Sequence, residues 1–376
     1  MMLDLEKLEM LHEQIVEVLQ GAQNESSLHK RRVKVLCKLH AQASTVVEKG
    51  KQPGQVKRVG EKKFNDAFWK TIANVLPVRK GVVEADRVVR LVGGFVQQLT
   101  AESGMWLLIA FFYEADVPIG ENGDDDDTPV DRFIEALLRR LIPGCSAKDK
   151  TVRYRTMQLL AEFVKSVQSL PEEVYDTMHS ALVNSANDKD TAVRVQVAIV
   201  LGKLAHGEDL GAIEEGVQSL TDILRNLMQF DPSPDVRRAA LPGVHTQLNK
   251  QTLPVLLSRV KDPDATVRCT VFRVLKSTPV PARSLSLEQR TLLVRCGLGD
   301  RAPAVKAEAS KLLAKWVDGT QDLEEFISLF DLSSDKTAED ALGAILAERP
   351  ELLNDIDLST GEKCSRHAST TDALTH

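Results

Sequence analysis

One pattern constrains this chain more than any other: an acidic or Pro-containing turn, then Val-Arg or Val-Lys, then an apolar helical run. It occurs five times, as KDKTVRYRTMQLLAEFV at 148–164, DKDTAVRVQVAIVLGKL at 188–204, DPSPDVRRAAL at 231–241, KDPDATVRCTVFRVL at 261–275 and GDRAPAVKAEASKLLAKWV at 299–317. The aligned valines are Val152, Val193, Val236, Val267 and Val305, separated by 41, 43, 31 and 38 residues. Asp or Pro in such a turn ends one helix and starts the next. Val193, Val197, Val200, Leu201 and Leu204 then fall on one helical face. A single helix pair cannot bury that stripe, whereas stacked pairs can.

A period near forty residues with this content predicts an all-α HEAT-repeat α-solenoid, a superhelical arch. Composition agrees: 43% of residues are apolar but only 5% aromatic, which suits packed Leu, Val and Ala helices. First helices of the pairs are expected at Val174–Val183 and Leu220–Gln229, with a short one at 252–260. The organisation expected is irregular helical repeats over 1–115, an acidic disordered loop at 116–129, and regular repeats over 130–318. A further helix pair at 319–358 and a disordered tail at 359–376 complete it. Within the first block, helices are expected at 3–19, 28–48, 63–76, 84–99 and 104–114. Gly93-Gly94 sits inside one of them and signals close helix packing.

The net charge of −6 hides strong alternation. Residues 28–80 hold fourteen Lys and Arg against three Asp and Glu, and residues 225–315 hold sixteen against seven. Acidic blocks at 1–27, 81–130, 161–224 and 316–376 offset them. The five cysteines are too scattered for a disulfide or zinc framework, and Cys37 with His40 supplies only two ligands. Residues 1–10 lack the apolar run of a signal peptide, and the longest apolar run, Met105–Tyr113, is about half a membrane span. No G-x-x-x-x-G-K-[ST] loop occurs, so no P-loop ATPase is encoded here, and the eight scattered histidines form no H-E-x-x-H motif. The run Asp124–Asp127 fails as a calcium loop, because Pro129 stands where an EF-hand needs glycine. Trp69, Trp106 and Trp316 all lie in apolar stripes, which argues against a base-excising repair enzyme. Thr128-Pro129, Ser233-Pro234 and Thr278-Pro279 are minimal sites for proline-directed kinases.

Several segments resemble one family, the HEAT-repeat G subunit of condensin, also called condensin subunit three. They are FNDAFWKTIANVLPVRKGVVEADRVVRLVGGFV at 64–96, the repeat runs at 148–160, 188–204 and 231–241, TLPVLLSRVKDPDATVRCTVFRVL at 252–275, and SLEQRTLLVRCGLGDRAPAVKAEASKLLAKWV at 286–317. The resemblance covers roughly residues 60–345 and corresponds to the N-terminal part of much longer proteins; the tail KCSRHASTTDALTH at 363–376 lies outside it. It implies a non-catalytic subunit, without cofactor, that binds a kleisin segment and with it grips double-stranded DNA in a basic groove. It further implies a link to the SMC ATPase subunits through the kleisin, no membrane partner, and residence in the nucleus and on chromosomes with a cytoplasmic pool. The rival reading is a protein-binding HEAT adaptor of the transport-receptor or phosphatase-scaffold type.

Two sets of basic residues must be told apart. Arg153, Arg194, Arg237, Arg268 and Lys306 belong to the repeat, and with Asp149, Asp190, Asp235, Asp264 and Asp300 they read as a ladder that ties repeats and caps helices. The surplus cations are the better phosphate contacts, since Lys and Arg release counterions from DNA without reading its sequence. They are Lys57, Arg58, Lys62, Lys63, Lys70, Arg79 and Lys80, then Lys148, Lys150 and Arg155, then Arg259, Lys261 and Arg301. A plain solvated face is the alternative for each.

Overall fold

In a computed structural model, the residues described are 9–49, 56–113, 128–164, 166, 171–205, 218–243, 252–331 and 336–355. They form helices α1 (Leu11–Asn24), α2 (His29–Ser44), α3 (Val59–Ile72), α4 (Val83–Tyr113), α5 (Pro129–Leu141), α6 (Lys150–Phe163), α7 (Glu172–Ser185) and α8 (Thr191–Leu204). Then follow α9 (Leu220–Phe230), α10 (Pro234–Ala240), α11 (Thr252–Ser258), α12 (Ala265–Ser277), α13 (Leu287–Leu298), α14 (Pro303–Asp318), α15 (Leu323–Ile327) and α16 (Thr337–Glu348). The chain divides into two compact units, Met1–Leu227 and Met228–His376. The acidic loop falls almost wholly, and the C-terminal tail wholly, outside the described residues.

Helix starts follow local chemistry. Asp149, Asp190 and Asp264 accept from the backbone N–H of Thr151, Ala192 and Thr266 at 2.7, 2.9 and 2.8 Å. Thr128 with Asp131 and Ser286 with Gln289 close reciprocal capping boxes. Proline opens α5, α10 and α14, where its missing N–H costs nothing.

In the first unit, α4 packs on α1, α2 and α6, and α6 packs on α8. Its centre is a cluster of Phe64, Phe68, Phe95 and Phe133 with His40, ring centroids 5.1–6.1 Å apart. In the second unit, the Val-Arg helices stack in series, α10 on α12 and α12 on α14, with α13 and α16 against the last. Val193, Val236, Val267 and Val305 have no exposed surface. Val152, at the first repeat, is only half-buried, as is Leu204.

Several helix expectations change. The helix expected over 3–19 runs on to Asn24, and the one expected over 63–76 starts at Val59 and ends at Ile72. Residues 83–113 form one helix rather than two, because Ser103-Gly104 carries no proline and one interior glycine costs only about 1 kcal/mol. The helix expected over 28–48 ends at Ser44, and Glu48–Lys49 instead pairs antiparallel with Val56–Lys57. That ending lets Gly60 approach the end of α2: its N–H donates to Val46 O at 3.0 Å, and a Cβ there would lie 1.9 Å from Ala43 O. Gly93 is a true close-packing site, since a Cβ would meet Glu162 Cβ at 2.8 Å, whereas Gly94 has ordinary clearance of 3.5 Å.

The ladder is present, with a different division of labour among its acids. Arg153 donates through Nε and Nη2 to Asp188 of the next turn, at 2.6 and 3.0 Å. Arg237 does the same to Asp262 (2.8 and 2.8 Å) and Arg268 to Asp300 (2.6 and 2.8 Å). Each Nη1 holds the carbonyls of its own turn, as Arg237 holds Asp231 O at 2.8 Å. Of the acids expected in the ladder, only Asp300 serves there. Asp149, Asp190 and Asp264 cap their own helices, and Asp235 pairs with Arg238 at i+3. The hydrogen bond from Arg268 holds the Asp300 carboxyl below the usual carboxylate range. Burial pushes Asp188 up, but its bonds from Arg153 and the Asp190 N–H outweigh that, leaving it lowered.

Candidate nucleic-acid interface

The first basic stretch is built on α3. Phe64, Phe68 and Ile72 recur at four-residue spacing and face the core. Lys62, Lys63 and Lys70 stay exposed, with Lys63 and Lys70 two turns apart on one face. The one acid among residues 57–63, Glu61, is buried and taken by Arg132 of α5, at 3.0 Å (Nε–Oε2) and 2.8 Å (Nη2–Oε1). It is therefore not available to neutralise the lysines beside it. Lys57 is exposed on its short strand, and Arg58 is half-buried with partners of its own. Trp69 is half-buried beside Phe133 and Arg140, so it is no stacking platform for bases.

Arg79 and Lys80 lie exposed in the turn between α3 and α4, which closes at Gly81 with φ +88°. Only glycine adopts that backbone readily. Lys80 Nζ stands 6.0 Å from the Tyr154 ring centroid. Among the described residues, no carboxylate lies within ion-pair distance of Lys57, Lys62, Lys63, Lys70, Arg79 or Lys80.

Arg155 does not belong with them. Its side chain is 0% exposed and sits under the Arg79–Lys80 turn. It donates from Nε to Val78 O at 2.8 Å, from Nη2 to Arg79 O at 2.7 Å, and from Nη1 to Asp86 and to Gln158 Oε1. A guanidinium so enclosed cannot reach a phosphate, which removes it from the expected contacts. Arg153 and Arg155 are two residues, about 200°, apart on α6, so one faces the next repeat and the other faces α4.

Lys148 and Lys150 flank the start of α6, both exposed; Lys150 Nζ is 3.4 Å from Asp190. In the second unit Arg259 is half-buried, donating to Gln229 O at 3.2 Å and lying 3.5 Å from Asp262, so its charge is committed to the fold. Lys261 and Arg301 are exposed in successive repeat turns, which the Arg268–Asp300 pair links.

Sequence reasoning passed over two basic groups. Lys30, Lys34 and Lys38 line one exposed face of α2, a stripe legible from its four-residue spacing. Arg273, Lys276 and Lys311 converge on the buried Glu308 at 3.5, 3.1 and 3.1 Å. Burial pushes that carboxyl up, yet the two lysines hold it lowered. Only tertiary packing brings α12 and α14 together there. Of the kinase motifs, Thr278 is closed: its hydroxyl is buried and donates to Leu275 O at 2.7 Å.

No protein-family profile matches the chain. Among curated proteins it is 31% identical over 274 residues to condensin complex subunit 3 of Schizosaccharomyces pombe, covering 72% of this chain and 28% of that protein. It is 28% identical over 353 residues to condensin complex subunit 3 of Saccharomyces cerevisiae, covering 91% and 32%. The crystal structure of the S. pombe condensin Cnd3–Cnd2 subcomplex superposes with a TM-score of 0.70 at 25% identity, over 91% of this chain and 38% of that one. The chain thus spans about a third of the length of the curated relatives it matches. By sequence and by the path of its helices, it belongs to the family of condensin complex subunit 3.

Proposed function

We propose that this chain is a non-catalytic condensin module that, with a kleisin segment, binds double-stranded DNA through its phosphates in a basic groove and so supports mitotic chromosome condensation. The observation that carries the reading is the separation of two cation populations. The ladder arginines Arg153, Arg237 and Arg268 are locked to carboxylates. Lys57, Lys62, Lys63, Lys70, Arg79 and Lys80 are exposed and face none among the described residues. Lys148 is exposed likewise in the first unit, where Lys150 is free to join at the cost of its contact with Asp190; in the second unit, taken by itself, Lys261 and Arg301 are the exposed cations. A kleisin partner is supported by the S. pombe relative having been crystallised as a Cnd3–Cnd2 subcomplex. The kleisin would in turn connect the chain to the SMC ATPase subunits, in the nucleus and on chromosomes, with a pool in the cytoplasm.

Six phosphate contacts predict a slope of log K against log salt near −5, and an affinity loss of about a thousandfold between 50 and 200 mM salt. Titrating a mixed-sequence duplex across that range, with and without a kleisin segment, tests the reading. Salt-steep binding indifferent to base sequence is expected. Absence of binding even with the kleisin, or capture of an unrelated cargo peptide in its place, refutes it.

A further inference from the structure

We infer that Arg155 is a positioning residue for the phosphate-contacting pair Arg79 and Lys80, holding their turn in a preformed shape from below. The inference rests on the DNA-binding reading above and names the device that makes one of its contacts effective. A fully enclosed guanidinium is costly to bury, and it persists where its donors are satisfied and a carboxylate offsets its charge. Here two donor groups go to consecutive carbonyls of the turn, Val78 O and Arg79 O, and Asp86 of α4 supplies the carboxylate. Gln158 completes the set, accepting from Arg155 at 2.7 Å and donating to Asp86 at 3.2 Å. Holding the carbonyl of Arg79 itself fixes the backbone from which Arg79 and Lys80 project.

Among the described residues, nothing on the outer side restrains the turn comparably. Gly81 adopts φ +88°, and a Cβ there would meet nothing within 4 Å. Arg79, Lys80, Gly81, Val82 and Val83 are all exposed. The turn is thus fastened from the protein side alone, by a side chain from α6. Ordering two flexible cations before DNA arrives lowers the entropy that binding must overcome.

Four forms of the full chain decide the matter: wild type, R79A/K80A, R155Q, and R155Q combined with R79A/K80A. Each is titrated with a mixed-sequence duplex between 50 and 200 mM salt and digested briefly with trypsin. Losing two phosphate contacts makes the salt slope shallower by about 1.8, so the wild-type to R79A/K80A affinity ratio shrinks about twelvefold across that range. R155Q should shift the slope the same way and add nothing to R79A/K80A. It should also speed tryptic cleavage at Arg79 and Lys80 while cleavage at Lys62 and Lys63 keeps its wild-type rate. If R155Q does not fold, D86N loosens the same guanidinium from a partly exposed position and carries the same expectations. A folded R155Q with wild-type slope and wild-type cleavage at the turn overturns the positioning role but leaves DNA binding intact. A wild-type slope in R79A/K80A overturns the contact itself, and no binding by the wild type refutes the underlying reading.

Discussion

Replacing Asp262 by alanine deletes a carboxylate with no exposed surface that accepts from Arg237 Nε and Nη2, both at 2.8 Å, and from the backbone N–H of Asp264 at 2.9 Å. Arg237, whose side chain is 11% exposed, would keep only the carbonyls of Asp231 and Pro232. Removing one partner of a buried ion pair costs about 3–5 kcal/mol, because the other charge is left desolvated. Two nearby acids calibrate the value. Asp264→Ala removes a helix cap and costs about 1 kcal/mol. Asp235→Ala opens an exposed pair with Arg238 and costs under about 0.5 kcal/mol. With a urea m-value of about 2 kcal/mol/M, Asp262→Ala should lower the midpoint by about 2 M, and Asp264→Ala by about 0.5 M. Hydrogen-exchange-detected urea titration on peptides from α12 reads the second unit directly. Adding Arg237→Met to Asp262→Ala should recover part of the loss, since the more buried guanidinium is then gone and the half-buried Arg259 keeps Gln229 O. If Asp264→Ala costs as much as Asp262→Ala, or the double variant is no better than the single, the ladder does not hold these repeats together as described.

Burial lowers the His40 pKa to about 4, with Glu61 pulling it up and Arg132 pushing it down. As the pH falls below about 6.5, the unfolded chain takes up this proton before the folded one does, so stability is full above 6.5 and declines by about 2 kcal/mol by pH 5. Urea titrations of the first unit at both pH values should show that decline in the wild type and not in His40→Leu; a flat wild-type profile contradicts it. Gly60→Ala must push α2 and α3 apart, because its Cβ would stand 1.9 Å from Ala43 O, and should cost about 2–3 kcal/mol. Gly343→Ala, exposed on α16 with nothing within 4 Å, should stabilise by about 0.5–1 kcal/mol. Thermal melts that move in the same direction for both would show that close approach is not what glycine provides at residue 60.

What was legible in the sequence is what depends on near neighbours or on a long period. The five Val-Arg turns announce stacked helix pairs, because an apolar stripe at helical spacing has nowhere to go but against another helix. The caps at Asp149, Asp190 and Asp264 are equally local, each bonding two residues onward. The exposure of Lys62, Lys63 and Lys70 follows from their place opposite Phe64, Phe68 and Ile72. Tertiary structure decided the rest. The ladder partners Asp188, Asp262 and Asp300 lie 35, 25 and 32 residues from their arginines, and only the stacking of one repeat on the next selects them over acids two to four residues away, such as Asp149, Asp235 and Asp264. Arg155 shares its composition, its helix and its charge with surface cations, yet α4 and the Val78–Gly81 turn close over it. A sequence shows that a charge exists and how often; whether water, a carboxylate or a carbonyl receives it depends on what the fold brings within about 3 Å.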